Sequence, residues 1–409
     1  MSMEYSLAMS LKLKDKKKIA LVFSGGGIKA AAFHIGVCLA LREKGFKFAG
    51  GSKDYVKRSF SEDDPKVVRL YVGSSAGAFI SAILSAGYSL ESLVNAFNIG
   101  VSKKAFYEDD FKDSLRPITY SDIFDVNAKS IIKSLPKMLL DKNIFTGGLE
   151  TFLKSKFKIN GLFTTKGLEK YLREYALVYN DFNKLGVELF IVGTQLNHTR
   201  KVIFGNFSET SKNDRLMFAN FASISQAVAA STSLPPVFSP YGIHQNQDKE
   251  LFFFDGEIRD TLSTHVAADH GADLIISSYS VHPYHFNKEV GSLHQFGIPV
   301  ILNQALYQVI QQKIDRHITH QTEISSVYAA IDSYFQKNSL PDEHKEKVLE
   351  IIRERLNFKP NADYIYVHPR PKDYEMFWAD HFSLNSSVLE RIVKIGFKST
   401  ISTLRKWDI

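Results

Sequence analysis

The 409 residues are 44% hydrophobic and 23% charged, with 24 Gly and 12 Pro. That composition excludes a fibrous, low-complexity or largely disordered chain, and the length suffices to bury about three quarters of the extended chain's surface. A net charge of +7, from 51 Lys and Arg against 44 Asp and Glu, is too dilute to imply a nucleic-acid partner, so electrostatic arguments rest on local clusters.

The densest cluster comes first: Lys12, Lys14, Lys16, Lys17 and Lys18 precede the apolar run Ile19 to Phe23. A signal peptide would place a longer apolar segment there, ending in a small-residue cleavage site. This run meets three glycines at once, so the expectation is a mature chain beginning here. Residues 19–23 read as a strand, Ser24-Gly25-Gly26-Gly27 as a turn, and Ile28 to Lys44 as a helix stopped by Gly45. A polar, turn-rich stretch covers 50–66, and Val67 to Val72 then forms a second strand running into Gly73-Ser74-Ser75-Ala76-Gly77. A helix follows over Ala76 to Ala86, with Gly87 at its C′ position and Ser89 capping the next helix. The uncharged stretch Tyr71 to Leu90 carries too many Ser and Gly to favour a membrane span.

Residues 101–180 read as a helical, basic cap. Later strands are expected at Val187 to Gly193, Glu250 to Phe254, Asp273 to Tyr279 and Asp363 to Val367, with helical stretches such as Ala219 to Ala230 between them. Alternating strands and helices predict an α/β fold whose mainly parallel sheet is covered on both faces. Residues 298–358 read as two long helices broken near Ser339-Leu340-Pro341. The expected organisation is a basic segment 1–18, a catalytic domain 19–280, and a C-terminal helical extension 281–409 packed on it.

The single cysteine, Cys38, excludes an intrachain disulfide and any Cys-rich zinc site, while the 13 His leave a His/carboxylate site open. Gly73 to Gly77 matches G-x-S-x-G between a strand and a helix, and the register selects Ser75 as nucleophile. Small flanking residues permit a strained turn that lifts a hydroxyl above the sheet edge, although a Gly/Ser-rich packing turn has the same composition. Ser24 to Lys29 also follows a strand and opens a helix, so its N–H groups can converge on an anion. Ala30 breaks both the dinucleotide fingerprint and the P-loop pattern, which leaves an oxyanion hole for Gly25, Gly26 and Gly27.

For a base, His34 reads as a packed histidine, and none of the others, His265 and His270 included, sits in a distinguishing context. Asp255, at the carboxyl end of an aromatic strand and followed by Gly256, is the sharper candidate, with a turn aspartate as the plain alternative. Burial would raise its pKa toward useful basicity.

Together, Gly25 to Ala30 with His34, Gly36 and Val37, Gly73 to Gly77, Ala229 to Pro240 and Asp255-Gly256 resemble, in order, the motifs of the patatin-like phospholipases. The resemblance implies a three-layer α/β/α fold and a serine lipid acyl hydrolase without metal or organic cofactor. It implies Ser75 as nucleophile, Asp255 as base, and Gly25, Gly26 and Gly27 as the oxyanion loop. Two departures stand out: Lys29-Ala30 replaces the family's usual Arg-Gly, and Glu257 stands where a second Gly is common. Lys29 is therefore expected to serve substrate or a bound anion as a point charge, or else the order of the loop.

A stripe of Lys129, Lys133 and Lys137, opposite Ile131, Ile132, Leu135, Met138 and Leu139, suits peripheral contact with an anionic membrane, or else an ordinary cap helix interrupted by Pro136. Gln304, Gln308, Gln311 and Gln312 read as packing or partner surface. The expected location is cytoplasmic with transient membrane association, and the expected substrate is a phospholipid or other acyl-ester lipid. Two alternatives remain: a non-catalytic lipid-binding scaffold, and an α/β-hydrolase esterase whose triad adds a later histidine, with His265, His270, His282 and His285 as candidates.

Overall fold

The computed structural model describes residues 15–99, 115–126 and 160–409, except positions 199, 248, 260, 357, 358, 360, 361 and 408. The lysine stripe at 129, 133 and 137, most of the 101–180 cap, and Lys12 and Lys14 lie outside the described residues.

The principal strands are β1 (Ile19–Phe23), β2 (Val67–Ser74), β3 (Glu188–Gln195), β4 (Arg200–Phe204), β5 (Leu216–Ala219), β6 (Tyr241–Asn246), β7 (Lys249–Asp255), β8 (Leu274–Ser278) and β9 (Asp363–Val367). The sheet runs in the order β9-β8-β1-β2-β3-β4-β5. Its first five strands are parallel, and β4 reverses direction against β3. The main helices are α1 (Gly27–Glu43), α2 (Ala76–Ser85), α3 (Ile224–Ser231), α4 (Ile298–Lys337), α5 (Asp342–Leu356) and α6 (Ser386–Leu404).

β1 is buried along its whole length, as a parallel strand covered on both faces must be. Successive side chains point to opposite faces. Ile19, Leu21 and Phe23 accordingly join a core with α1, α2 and α6, whereas Ala20 and Val22 join Val266, Ala267 and Ala268 of a short helix on the other face. The result is a three-layer α/β/α molecule with a mainly parallel sheet and a C-terminal helix on one face.

Residues beyond 281 supply the edge strand β9 and the helix α6, which lies against α1 through two glycines. A Cβ on Gly36 would sit 2.1 Å from the Val393 carbonyl oxygen, and one on Gly396 would sit 2.3 Å from that of Phe33.

Three local features depart from expectation. The polar stretch 50–66 contains a short helix, Lys53–Ser59, because Ser52 caps it by accepting from the Tyr55 amide. The helical stretch predicted from Ala219 begins only after Ser223, whose capping box with Gln226 starts α3; Ala219 itself ends β5. β4, β5 and β6 are short and flanked by polar residues, too brief for an alternating pattern to mark them.

One register positions the site. β2 pairs parallel with β3 as far as Ser74 opposite Val192, and β7 pairs antiparallel with β3 as far as Asp255 opposite Gly193. Both occupy the flank of β3 opposite β4. The two strands therefore approach from opposite ends and meet on adjacent rungs.

Candidate active site

Ser75 follows β2 directly and caps α2 with φ 53° and ψ −122°, a strained conformation for a residue with a Cβ. Three contacts hold the turn. The Ser75 N–H donates to Ser231 Oγ at 2.8 Å, and that hydroxyl donates in turn to the Val192 carbonyl on β3. A Cβ on Gly77 would fall 2.2 Å from the Phe23 carbonyl oxygen, so only glycine lets α2 start this close to β1. Ser74 is buried and its hydroxyl meets no hydrogen-bond partner among the described residues.

The Ser75 hydroxyl acts on the Asp255 carboxyl and favours its ionised form. Asp255 is buried at the end of β7, where its Oδ1 also accepts from the Glu257 amide at 2.8 Å. Burial pushes its carboxyl up to about 6, opposed by the Ser75 hydroxyl and the Glu257 amide, which favour the anion.

Gly26 and Gly27 take φ values of 129° and 74° and lead into α1, whose first turn has no side-chain cap. A first turn without a side-chain cap leaves amides available to an anion, apart from that of Ile28, which the His381 carbonyl takes. A Cβ on Gly25 would lie 2.8 Å from the Ser75 Cβ, so the loop passes directly over the hydroxyl-bearing turn. The Gly25 amide donates to Glu257 Oε1 at 2.8 Å. His34 braces the loop from below: Nε2 donates to the Ser24 carbonyl at 2.8 Å, and Nδ1 accepts from the Ser278 hydroxyl at 2.7 Å. Burial lowers its pKa to about 4, consistent with a neutral ring.

Ser75, Asp255 and all three loop glycines line one cavity of about 570 Å³, within the size range of ligand pockets. Its walls are mainly apolar, including Phe79, Phe97, Leu168, Phe238 and Ile310.

A family model for patatin-like phospholipases matches residues 21–268, a span that carries the glycine loop, Ser75 and Asp255. The chain belongs to the patatin-like phospholipase family. A comparison with curated proteins finds no match. Membership in a patatin-like family supports lipid hydrolysis as the activity. β8, α4, β9 and α6 all lie beyond the matched span.

That tail nevertheless reaches the patatin-like loop. The Ile28 amide donates to the His381 carbonyl at 2.6 Å. Lys29 is buried, and its Nζ donates to the carbonyls of Met376, at 2.9 Å, and Ala379, at 3.2 Å. Burial lowers its pKa to about 7, with Asp380 opposing the shift. Lys29 does not line the cavity, so its ammonium is directed at the tail rather than at the space a substrate would fill. Sequence alone offers no sign of this, since nothing local links position 29 to 376.

Among the candidate triad histidines, His265 Nε2 lies 2.6 Å from Lys201 Nζ, His270 Nδ1 lies 2.8 Å from the Val266 carbonyl, and the rings of His282 and His285 lie 5.0 Å apart, tilted by 34°. None of the four lines the cavity. The histidine that does is His381, which sequence reasoning missed, and its Nε2 is 2.6 Å from the Tyr307 hydroxyl. Gln304 bonds the Tyr284 backbone in both directions, a packing role. Among the described residues, no group of three or more His, Cys, Asp or Glu side chains could hold a metal ion, and no helix is long and apolar enough to cross a membrane.

Proposed function

We propose that the protein hydrolyses fatty acyl esters of lipids through an acyl-enzyme on Ser75, with Asp255 as general base. The observation that carries this reading is that Ser75, on its strained turn, and the buried Asp255 line one apolar cavity from the ends of β2 and β7, on adjacent rungs of β3. Ser75 Oγ attacks the ester carbonyl carbon as its proton passes to Asp255, and the carbonyl oxygen becomes an oxyanion held by amides of the Gly25–Gly27 loop. Collapse of the tetrahedral intermediate breaks the bond to the alcohol, which takes the proton back from Asp255. Water, deprotonated by Asp255, then releases the fatty acid and restores the Ser75 hydroxyl. The apolar walls suit an acyl chain.

Fluorophosphonate labelling with peptide mapping tests the assignment. Wild type should be modified at Ser75 and hydrolyse a short ester. Ser75→Ala should lose both while keeping its thermal melt, and Ser74→Ala should retain both. A label on Ser74, or hydrolysis that survives Ser75→Ala, would sink the reading. Loss of about 10³-fold from a single substitution of His265, His270, His282 or His285 in a folded protein would favour a triad instead.

A further inference from the structure

The first three turns of α4 are apolar on two sides. One side is spoken for: Tyr307 is buried with Val281, Tyr284 and Phe377, and Val300 and Ile310 pack against that cluster. The other side faces solvent with Ile298 (72% exposed), Ile301 (45%), Leu302 (62%), Leu306 (56%) and Val309 (51%). That spacing, i, i+3, i+4, i+8 and i+11, is a single stripe on one helix face. The sequence carries no charged residue from 298 to 312. Isolated exposed apolar residues are ordinary, but a contiguous stripe marks an interaction surface.

The stripe is continuous with the cavity. Leu306 and Val309 line it as well as facing solvent, and so do Leu234 and Ile258. Where the stripe ends, a more open recess of about 960 Å³ begins, sharing Lys313 with the cavity and lined also by Arg259 and Arg316, with Asp315 and Glu323.

We propose that this face of α4 docks on a phospholipid surface, its apolar stripe entering the acyl layer and Arg259, Lys313 and Arg316 lying at the level of the lipid phosphates. A lipid chain could then pass from the aggregate into the cavity without crossing water. The inference rests on the acyl-ester reading of that cavity. A phospholipid surface suits the geometry better than a protein, because a protein seated on the stripe would cover Leu306 and Val309 and close the route in. Apolar insertion is also chemically distinct from docking by a lysine stripe.

The test is flotation with phosphatidylcholine vesicles at about 0.1 M and about 0.5 M salt, with Ser75→Ala as the reference protein so that binding is read without turnover. The triple variant Ile298→Gln, Ile301→Gln, Leu302→Gln avoids every cavity residue. Made in the Ser75→Ala background, it should bind on the order of tenfold less than the reference. In the otherwise wild-type chain, it should keep hydrolysis of a water-soluble ester and labelling of Ser75. The single Ile301→Glu change, at a solvated position, should weaken vesicle binding in the same direction. Reference binding should persist at the higher salt. Equal binding by reference and variants, binding abolished by salt, or a self-association that the triple change removes would each overturn the docking surface. Intact vesicle binding in a protein that neither hydrolyses esters nor labels at Ser75 would instead overturn the catalytic reading and leave the surface standing.

Discussion

Asp255 combines burial with ionisation, and the two oppose each other. Its folded pKa of about 6 lies above its ordinary 3.8, so the folded chain holds the proton more tightly than the unfolded one. The stabilisation from that proton is complete below the unfolded value and is lost as pH rises through about 6. At neutral pH the ionised carboxylate thus costs roughly 3 kcal/mol. Turnover should rise with pH through about 6, following the ionised base. Asp255→Asn should abolish turnover yet melt at a higher temperature than wild type at pH 7.5, a gain that shrinks toward pH 4. An equal or lower melt at both values would show that burial does not set this carboxyl's proton affinity. Glu257 poses a second residue-scale question, because its carboxylate already occupies the Gly25 amide. An anion there competes with the oxyanion, so Glu257→Gly should raise turnover of a neutral short ester. Glu257→Gln, which keeps the acceptor without the charge, should fall between. Slower turnover in both variants would assign Glu257 to holding the loop instead.

The start of α1 is shared between the glycine loop and the tail. Its Ile28 amide is capped by His381, and Lys29 binds two carbonyls 347 and 350 residues away in sequence. The ammonium lies 5.3 Å from the centre of the Tyr307 ring, which adds an attraction that a neutral side chain lacks. Lys29→Met leaves both carbonyls without their donor. It should slow phospholipid and short-ester hydrolysis by similar factors, and amide hydrogen exchange over 376–382 should quicken. A loss confined to phospholipid would return Lys29 to head-group recognition.

Across the whole molecule, the tail beyond the family match is built into the sheet and the helix layer. β9 extends β8 at the edge, and the Gly36–Gly396 approach lets α1 and α6 meet backbone to backbone. Neither helix can yield there without losing the packing of Leu389, Ile392 and Val393 in the main core. Gly396→Val should therefore destabilise by about 2 kcal/mol or more, read as a lower melting temperature with slower Ser75 labelling near the melt. An unchanged melt would mean that α6 is docked loosely and that the chain to Ser280 stands without it.

The amino-acid sequence by itself determined the strand-turn-helix units around Gly25 to Gly27 and Ser75, and the strand leading to Asp255. Each depends on a local demand: glycines where φ is positive, small residues where a turn is tight, an apolar run where a strand is buried on both faces. Short motifs record such demands directly. What only the tertiary structure decided is which of these units meet. Ser75 reaches Asp255 because β2 and β7 end on adjacent rungs of β3, a register that no spacing of motifs encodes. Lys29 follows the glycine loop as an anion-binding cation would, and chain order alone cannot show that the carbonyls of Met376 and Ala379 come to meet it. The sequence does not mark the apolar stripe of α4 as uncovered, because hydrophobic periodicity reports that a face is apolar and only packing reveals that nothing in the described chain covers it.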